Sequence, residues 1–77
     1  MENLLERVVI NPKVMAGKPV IRGTRITVEH IMRELASGIG ADEMLKLYPR
    51  LAAEDIQAAH AYAAARLAEE RIILAAE

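Results

Sequence analysis

Cysteine is absent from the 77 residues, so neither a disulfide nor a thiolate zinc site can hold this small chain together. A reducing compartment suits such a chain. Serine occurs once, as Ser37 beside a helix-stopping glycine, and the two histidines, His30 and His60, are widely separated. With no H-x-x-x-H or H-E-x-x-H spacing, no metal site is expected. Asp42-Glu43 and Glu54-Asp55 resemble paired carboxylates. Neighbouring helical positions point about 100° apart, however, and stabilisation of helix starts accounts for these acids. Gly17-Lys18 is not a phosphate loop, because Pro12 and Pro19 stand where that motif needs Gly and Ser or Thr. No catalytic group and no cofactor are expected, and the chain reads as a non-enzyme.

Long apolar runs are also missing. Charges interrupt every stretch well before bilayer length, and Met1-Glu2-Asn3 lacks the basic start of a signal peptide. The expectation is a cytoplasmic protein with no membrane partner. Acids are missing from Arg7 to Val28, a segment carrying Arg7, Lys13, Lys18, Arg22 and Arg25. After Ser37 the balance reverses: Asp42, Glu43, Glu54, Asp55, Glu69, Glu70 and Glu77 outnumber Lys46, Arg50, Arg66 and Arg71. The net charge of −1 argues against a general nucleic-acid coat. A cationic front and anionic back fit either an anionic partner for one face or pairing between the halves.

The residues present predict one domain, 1–77, mainly α, with a small N-terminal two-stranded β element. A trihelical, helix-turn-helix-like domain with a long C-terminal helix follows. Residues 8–28 form the β-hairpin region, 28–65 the trihelical core and 66–77 an extension of the last helix. Val8-Val9-Ile10 is a β-branched run closed by Asn11-Pro12, and Val20-Ile21 is the second strand. Between them Lys13 to Lys18 reads as a loop, with Val14 and Met15 plugging its underside. Ile21 to Ile26 fits a tight hairpin with Gly23 first in a type II′ turn. That register opposes Ile21 to Ile26 and Arg22 to Arg25, and two facing guanidiniums call for an anion between them.

Thr27 caps a helix whose apolar residues Val28, Ile31, Met32 and Leu35 recur at helical spacing until Gly38. Ala41, Met44, Leu45 and Tyr48 repeat that spacing before Pro49. A third, alanine-rich helix starts near Ala53 and is expected to approach the C-terminus. Its cap, Ala52, costs about 1 kcal/mol relative to Ser or Thr.

Three interaction surfaces follow. Lys18, Arg22, Thr24 and Arg25 on the hairpin, with Arg50 and Gln57 near the third helix, are candidate DNA contacts, although Glu54 and Asp55 would face phosphates unfavourably. Val8, Val9 and Ile10 form a strand with too few partners in one chain, a candidate dimer interface. Leu67, Arg71, Ile72, Ile73 and Leu74 are candidate partner contacts, because three consecutive large apolar residues cannot all face one core.

The run Gly17-Lys18-Pro19-Val20-Ile21-Arg22-Gly23-Thr24-Arg25-Ile26-Thr27-Val28 closely resembles the signature of the bacterial domain-of-unknown-function family number 433. The likeness continues through Gly38, Tyr48-Pro49 and Leu51…Glu54-Asp55-Ile56…Ala58-Ala59, covering roughly residues 8–65. It implies a helix-turn-helix-like domain, often the antitoxin half of a toxin–antitoxin pair. The implied partners are a PIN-like ribonuclease toxin, which the antitoxin blocks, a second copy of the chain, and operator DNA of its own operon. Gly40 and Ala52 depart from the Ser or Thr with which such relatives commonly begin the second and third helices, and the tail after Ala65 lies outside the signature. The expected function is that of an antitoxin. The alternatives are a stand-alone DNA-binding regulator and a structural dimerisation module.

Overall fold

A computed structural model describes residues 3–69. Asn3 opens it as a cap: its Oδ1 accepts from the Leu5 N–H at 2.9 Å and starts a 3-10 turn, Leu4–Arg7. Val8 closes that turn by donating its N–H to the Leu5 carbonyl. Two β-branched residues then make β1 (Val8–Val9), antiparallel to β2 (Val20–Ile21), with Val8 opposite Ile21 and Val9 opposite Val20. The expected two-stranded element is therefore present, with β1 paired to β2 along one edge. Ile10 falls outside the strand and is 60% exposed.

The β2 strand uses both edges. On the side away from β1, Val20 bridges to Thr27 and the Ile21 N–H donates to the Ile26 carbonyl at 2.9 Å. The opposition of Ile21 and Ile26 is therefore present, but the turn between them is not the expected type II′. The Thr24 N–H donates to the Ile21 carbonyl at 3.0 Å, which places Gly23 third in the turn Ile21–Thr24, with φ +81°. A glycine with positive φ in that position belongs to a type II turn. Thr24 explains the difference. Its Oγ1 donates to the Ile21 carbonyl at 2.8 Å and accepts from the Ile26 N–H at 3.0 Å, so the loop uses two further residues before pairing resumes. Arg22 occupies the second turn position, and its N–H donates to the Arg7 carbonyl at 2.8 Å. Arg22 and Arg25 are not a ladder pair.

The connection from β1 to β2 holds another departure. Met15, Ala16 and Gly17 have φ of 49°, 58° and 82°, a left-handed turn closed by hydrogen bonds from Gly17 to Val14 and from Lys18 to Met15, each 3.1 Å. Val14 is half-buried as expected, whereas Met15 is 41% exposed and does not plug the loop.

Helix α1 (Val28–Ala36) starts where the Thr27 hydroxyl accepts from the His30 N–H at 2.9 Å. Gly38, at φ +104°, ends it. The Gly38 N–H reaches the Leu35 carbonyl and the Ile39 N–H reaches that of Glu34, satisfying carbonyls the helix leaves open. Helix α2 (Ala41–Leu47) leads into the turn Tyr48–Leu51, with Pro49 second and a 2.9 Å hydrogen bond across it. Helix α3 (Ala53–Ala68) is the longest element, about 24 Å at 1.5 Å per residue. Its alanine cap is compensated by Asp55, whose Oδ2 accepts from the Ala52 N–H at 2.8 Å.

Ile21, Val28, Ile31, Met44, Leu51, Ile56 and Ala59 make the core, one contribution or more from β2 and from each helix. Ala58 and Ala59, fully buried, let α3 approach its neighbours closely. Asp55 is the charged member of this interior: its Oδ1 takes a 3.0 Å ion pair from Arg7, which ties the N-terminal turn to α3.

Candidate functional site

Ion pairing first decides which cations the fold leaves available. Lys18 bonds Glu29 at 3.1 Å, and Arg33, one helical turn beyond Glu29, reaches the other carboxylate oxygen at 2.7 Å. The Lys18 hydrogen bond, then the charges of Lys18 and Arg33, hold the Glu29 carboxyl below its ordinary range. Arg7 is committed to Asp55. Pairing between the cationic front and the helical acids therefore accounts for Arg7 and Lys18.

Arg25 and Arg50 differ. Among the described residues neither has a hydrogen-bond or ion-pair partner. Both line one cleft of about 440 Å³, together with Val9, Asn11, Val14, Val20, Gly23 and Thr24. Among the described residues no carboxylate lines it. Two tight turns bring the arginines there from distant parts of the chain. The hydrogen bond from Ile26 N–H to Thr24 Oγ1 spans Arg25, and the bond from Leu51 to Tyr48 spans Arg50. Arg25 also borders a second hollow, of about 320 Å³, walled by Met15, Ile26, Thr27, His30 and Tyr48. There the His30 Nε2 and Tyr48 hydroxyl are 2.7 Å apart, and the two rings meet edge to face.

The six expected DNA contacts are consequently divided. Thr24, Arg25 and Arg50 share the cleft, Arg22 stands exposed on the turn beside it, and Lys18 is bound to Glu29. Gln57 lies elsewhere, in a hollow between α2 and α3 with Asp42, Glu54 and His60. The start of α3 therefore presents an acidic surface where a DNA-reading helix would meet phosphates.

Of the expected dimer contacts, Val8 packs against the core, Val9 lines the arginine cleft and Ile10 is exposed. Of the expected partner contacts, Leu67 is 60% exposed on α3, while Arg71, Ile72, Ile73 and Leu74 lie outside the described residues. Leu67 closes one end of an apolar groove of about 330 Å³ between α1 and α3, lined also by Pro19, Val28, Met32, Tyr62 and Ala63. Glu29 and Arg66 complete its walls with one charge of each sign.

Sequence reasoning missed the His30–Tyr48 contact and the contributions of Asn11 and Tyr62. Eighteen positions separate His30, in α1, from Tyr48, just after α2, and no spacing rule connects them. Among the described residues, no group of histidines and acids could hold a metal, and no helix is long and apolar enough to cross a membrane.

The pattern defining the family described as "Protein of unknown function (DUF433)" matches residues 8–63. The chain belongs to the DUF433 family. A crystal structure of a DUF433 member from Anabaena variabilis superposes with a TM-score of 0.76 at 35% identity, covering 82% of this chain and 62% of that one. The uncharacterized protein y4eO of Sinorhizobium fredii is 40% identical over 60 residues, 78% of this chain and 27% of that protein. An uncharacterized protein of Archaeoglobus fulgidus is 59% identical over 29 residues, 38% of this chain and 81% of its own length. The chain thus spans less than two thirds of the Anabaena and Sinorhizobium proteins. The DUF433 region contains both arginines of the cleft and most of the α1–α3 groove, whereas Arg66 and Leu67 lie beyond it.

Proposed function

We propose that this DUF433 chain is antitoxin-like: it binds a PIN-like ribonuclease toxin and blocks it, with no catalytic activity of its own. The supporting observation is the α1–α3 groove. Among the described residues its walls are apolar apart from Glu29 and Arg66, and they include the exposed Leu67. Solvent-facing apolar surface of this kind, rimmed by charge, is characteristic of protein–protein contact. In this reading an amphipathic helix of the toxin occupies the groove, anchored by apolar residues at helical spacing. The partner's identity rests on the resemblance of the chain to antitoxins.

The alternative of a stand-alone helix-turn-helix regulator has less support, because Glu54 and Asp42 flank Gln57 at the start of α3. A nucleic-acid contact, where it exists, belongs instead to the face carrying Arg25 and Arg50. Co-expression with the product of the adjacent gene tests the proposal. The expected result is a complex that survives size-exclusion chromatography and suppresses RNA cleavage. A self-associated chain that leaves the ribonuclease free and active would favour the dimerisation module instead.

A further inference from the structure

We infer that the cleft beneath the Ile21–Thr24 turn is a binding site for the phosphate of a nucleotide, gripped by Arg25 and Arg50, with the base directed to the His30–Tyr48 hollow. The inference is independent of the antitoxin reading, since the groove that supports the latter lies between α1 and α3 and includes neither arginine.

Three observations carry it. The first is that Arg25 and Arg50 have no partner among the described residues, although carboxylates elsewhere on the chain hold Arg7, Lys18 and Arg33. Their backbones are fixed by turn hydrogen bonds, so the guanidiniums are brought to one cleft without being neutralised there. The second is the donor set. A guanidinium binds an oxyanion through a two-point fork, and Arg is the side chain suited to such bidentate recognition of phosphate. A phosphate has the oxygens to use both arginines. Asn11 adds to this set: its Oδ1 accepts from the Lys13 N–H at 2.9 Å, which leaves the amide NH2 as a donor in the cleft wall.

The third observation is what surrounds the cations. Val9, Val14 and Val20 give the cleft an apolar floor suited to a sugar, and its 440 Å³ exceeds what an isolated anion requires. Arg25 stands between this cleft and the hollow containing the His30 and Tyr48 rings. Cations following a backbone beside aromatic faces for bases are the elements by which proteins hold single nucleotides and single strands. The phosphate can come from a free nucleotide or from a nucleic-acid strand.

Titration of the full chain with inorganic phosphate, AMP and a short single-stranded oligonucleotide, followed by amide and side-chain NMR, tests the site. Saturable shifts at Gly23, Thr24 and Arg25 are expected with AMP or the oligonucleotide, together with shifts at His30 and Tyr48. Inorganic phosphate should move only the first group. Binding by AMP assigns a free nucleotide; binding by the oligonucleotide alone assigns a backbone phosphate. Arg25→Gln and Arg50→Gln should each weaken binding about tenfold. For the oligonucleotide, each should also lower the salt slope by about one. Lys46→Gln removes the same charge from a residue outside the cleft and should leave affinity nearly unchanged. The inference is overturned if neither AMP nor the oligonucleotide gives saturable shifts, or if Lys46→Gln weakens binding as much as the arginine variants. A ribonuclease complex that forms without any phosphate binding would remove this site while leaving the antitoxin proposal standing.

Discussion

At the scale of single residues, Asp55 has the largest structural role. It supplies the cap interaction that Ala52 lacks and pairs with Arg7, so one carboxylate fastens both the start of α3 and the N-terminal turn. Its replacement by alanine leaves the Ala52 N–H and the half-buried Arg7 without that partner. We expect Asp55→Ala to destabilise the fold by about 2–4 kcal/mol, measured by urea unfolding. Ala16 is a second informative position, because a non-glycine residue at φ 58° carries steric strain. Relief of that strain, partly offset by the greater freedom of glycine in the unfolded chain, should make Ala16→Gly stabilising by about 0.5 kcal/mol in the same assay. Glu29 sets a pH dependence. Its folded pKa is lowered by Lys18 and Arg33, so its contribution is present above the unfolded glutamate pKa and is lost as pH falls through the lowered folded value. Unfolding midpoints of wild type and Glu29→Gln should therefore converge with acidification below about pH 4.3, and added salt should narrow the gap at neutral pH because the group is exposed.

At the scale of elements, helical spacing and end signals were readable from sequence: Thr27, Gly38 and Pro49 bound α1 and α2 as chemistry requires. The two-stranded element is readable too, but its register is not. Val8 and Val9 find Ile21 and Val20 across a connection whose left-handed turn at Met15–Gly17 has no strong local signature beyond its glycine. The type of the hairpin turn is not legible in sequence because Gly23 suits either type, and the Thr24 hydroxyl decides between them through two hydrogen bonds. At this scale the groove between α1 and α3 makes its own prediction. Leu67→Lys places a charge at a position 60% exposed, so the unfolding midpoint should change little while binding of the toxin helix weakens by tenfold or more, on the order of 1.4 kcal/mol. Equal loss of stability and binding would show that Leu67 serves the fold alone.

At the scale of the whole molecule, the fold separates two surfaces that the sequence had grouped loosely. In the cationic front Asp55 pairs with Arg7 and Glu29 with Lys18, while Arg25 shares a cleft with Arg50. Leu67 is exposed at the α1–α3 groove, while Leu5, Ile10, Met15 and Leu47 are exposed elsewhere on the described surface. Sequence could identify Arg25 as a candidate from its place in the acid-free front, and Leu67 from the apolar residues that follow it toward the C-terminus. It could not place Arg25 beside Arg50, nor Tyr62 beside Pro19, since those juxtapositions depend on how α3 crosses the sheet and α1. The central claim is that the groove face engages a ribonuclease and silences it. The most direct measurement is RNA cleavage by the product of the adjacent gene, the proposed toxin, titrated with wild type and with Leu67→Lys. The account predicts stoichiometric inhibition by wild type and weakened inhibition by the variant. Undiminished cleavage at excess wild-type chain would contradict it.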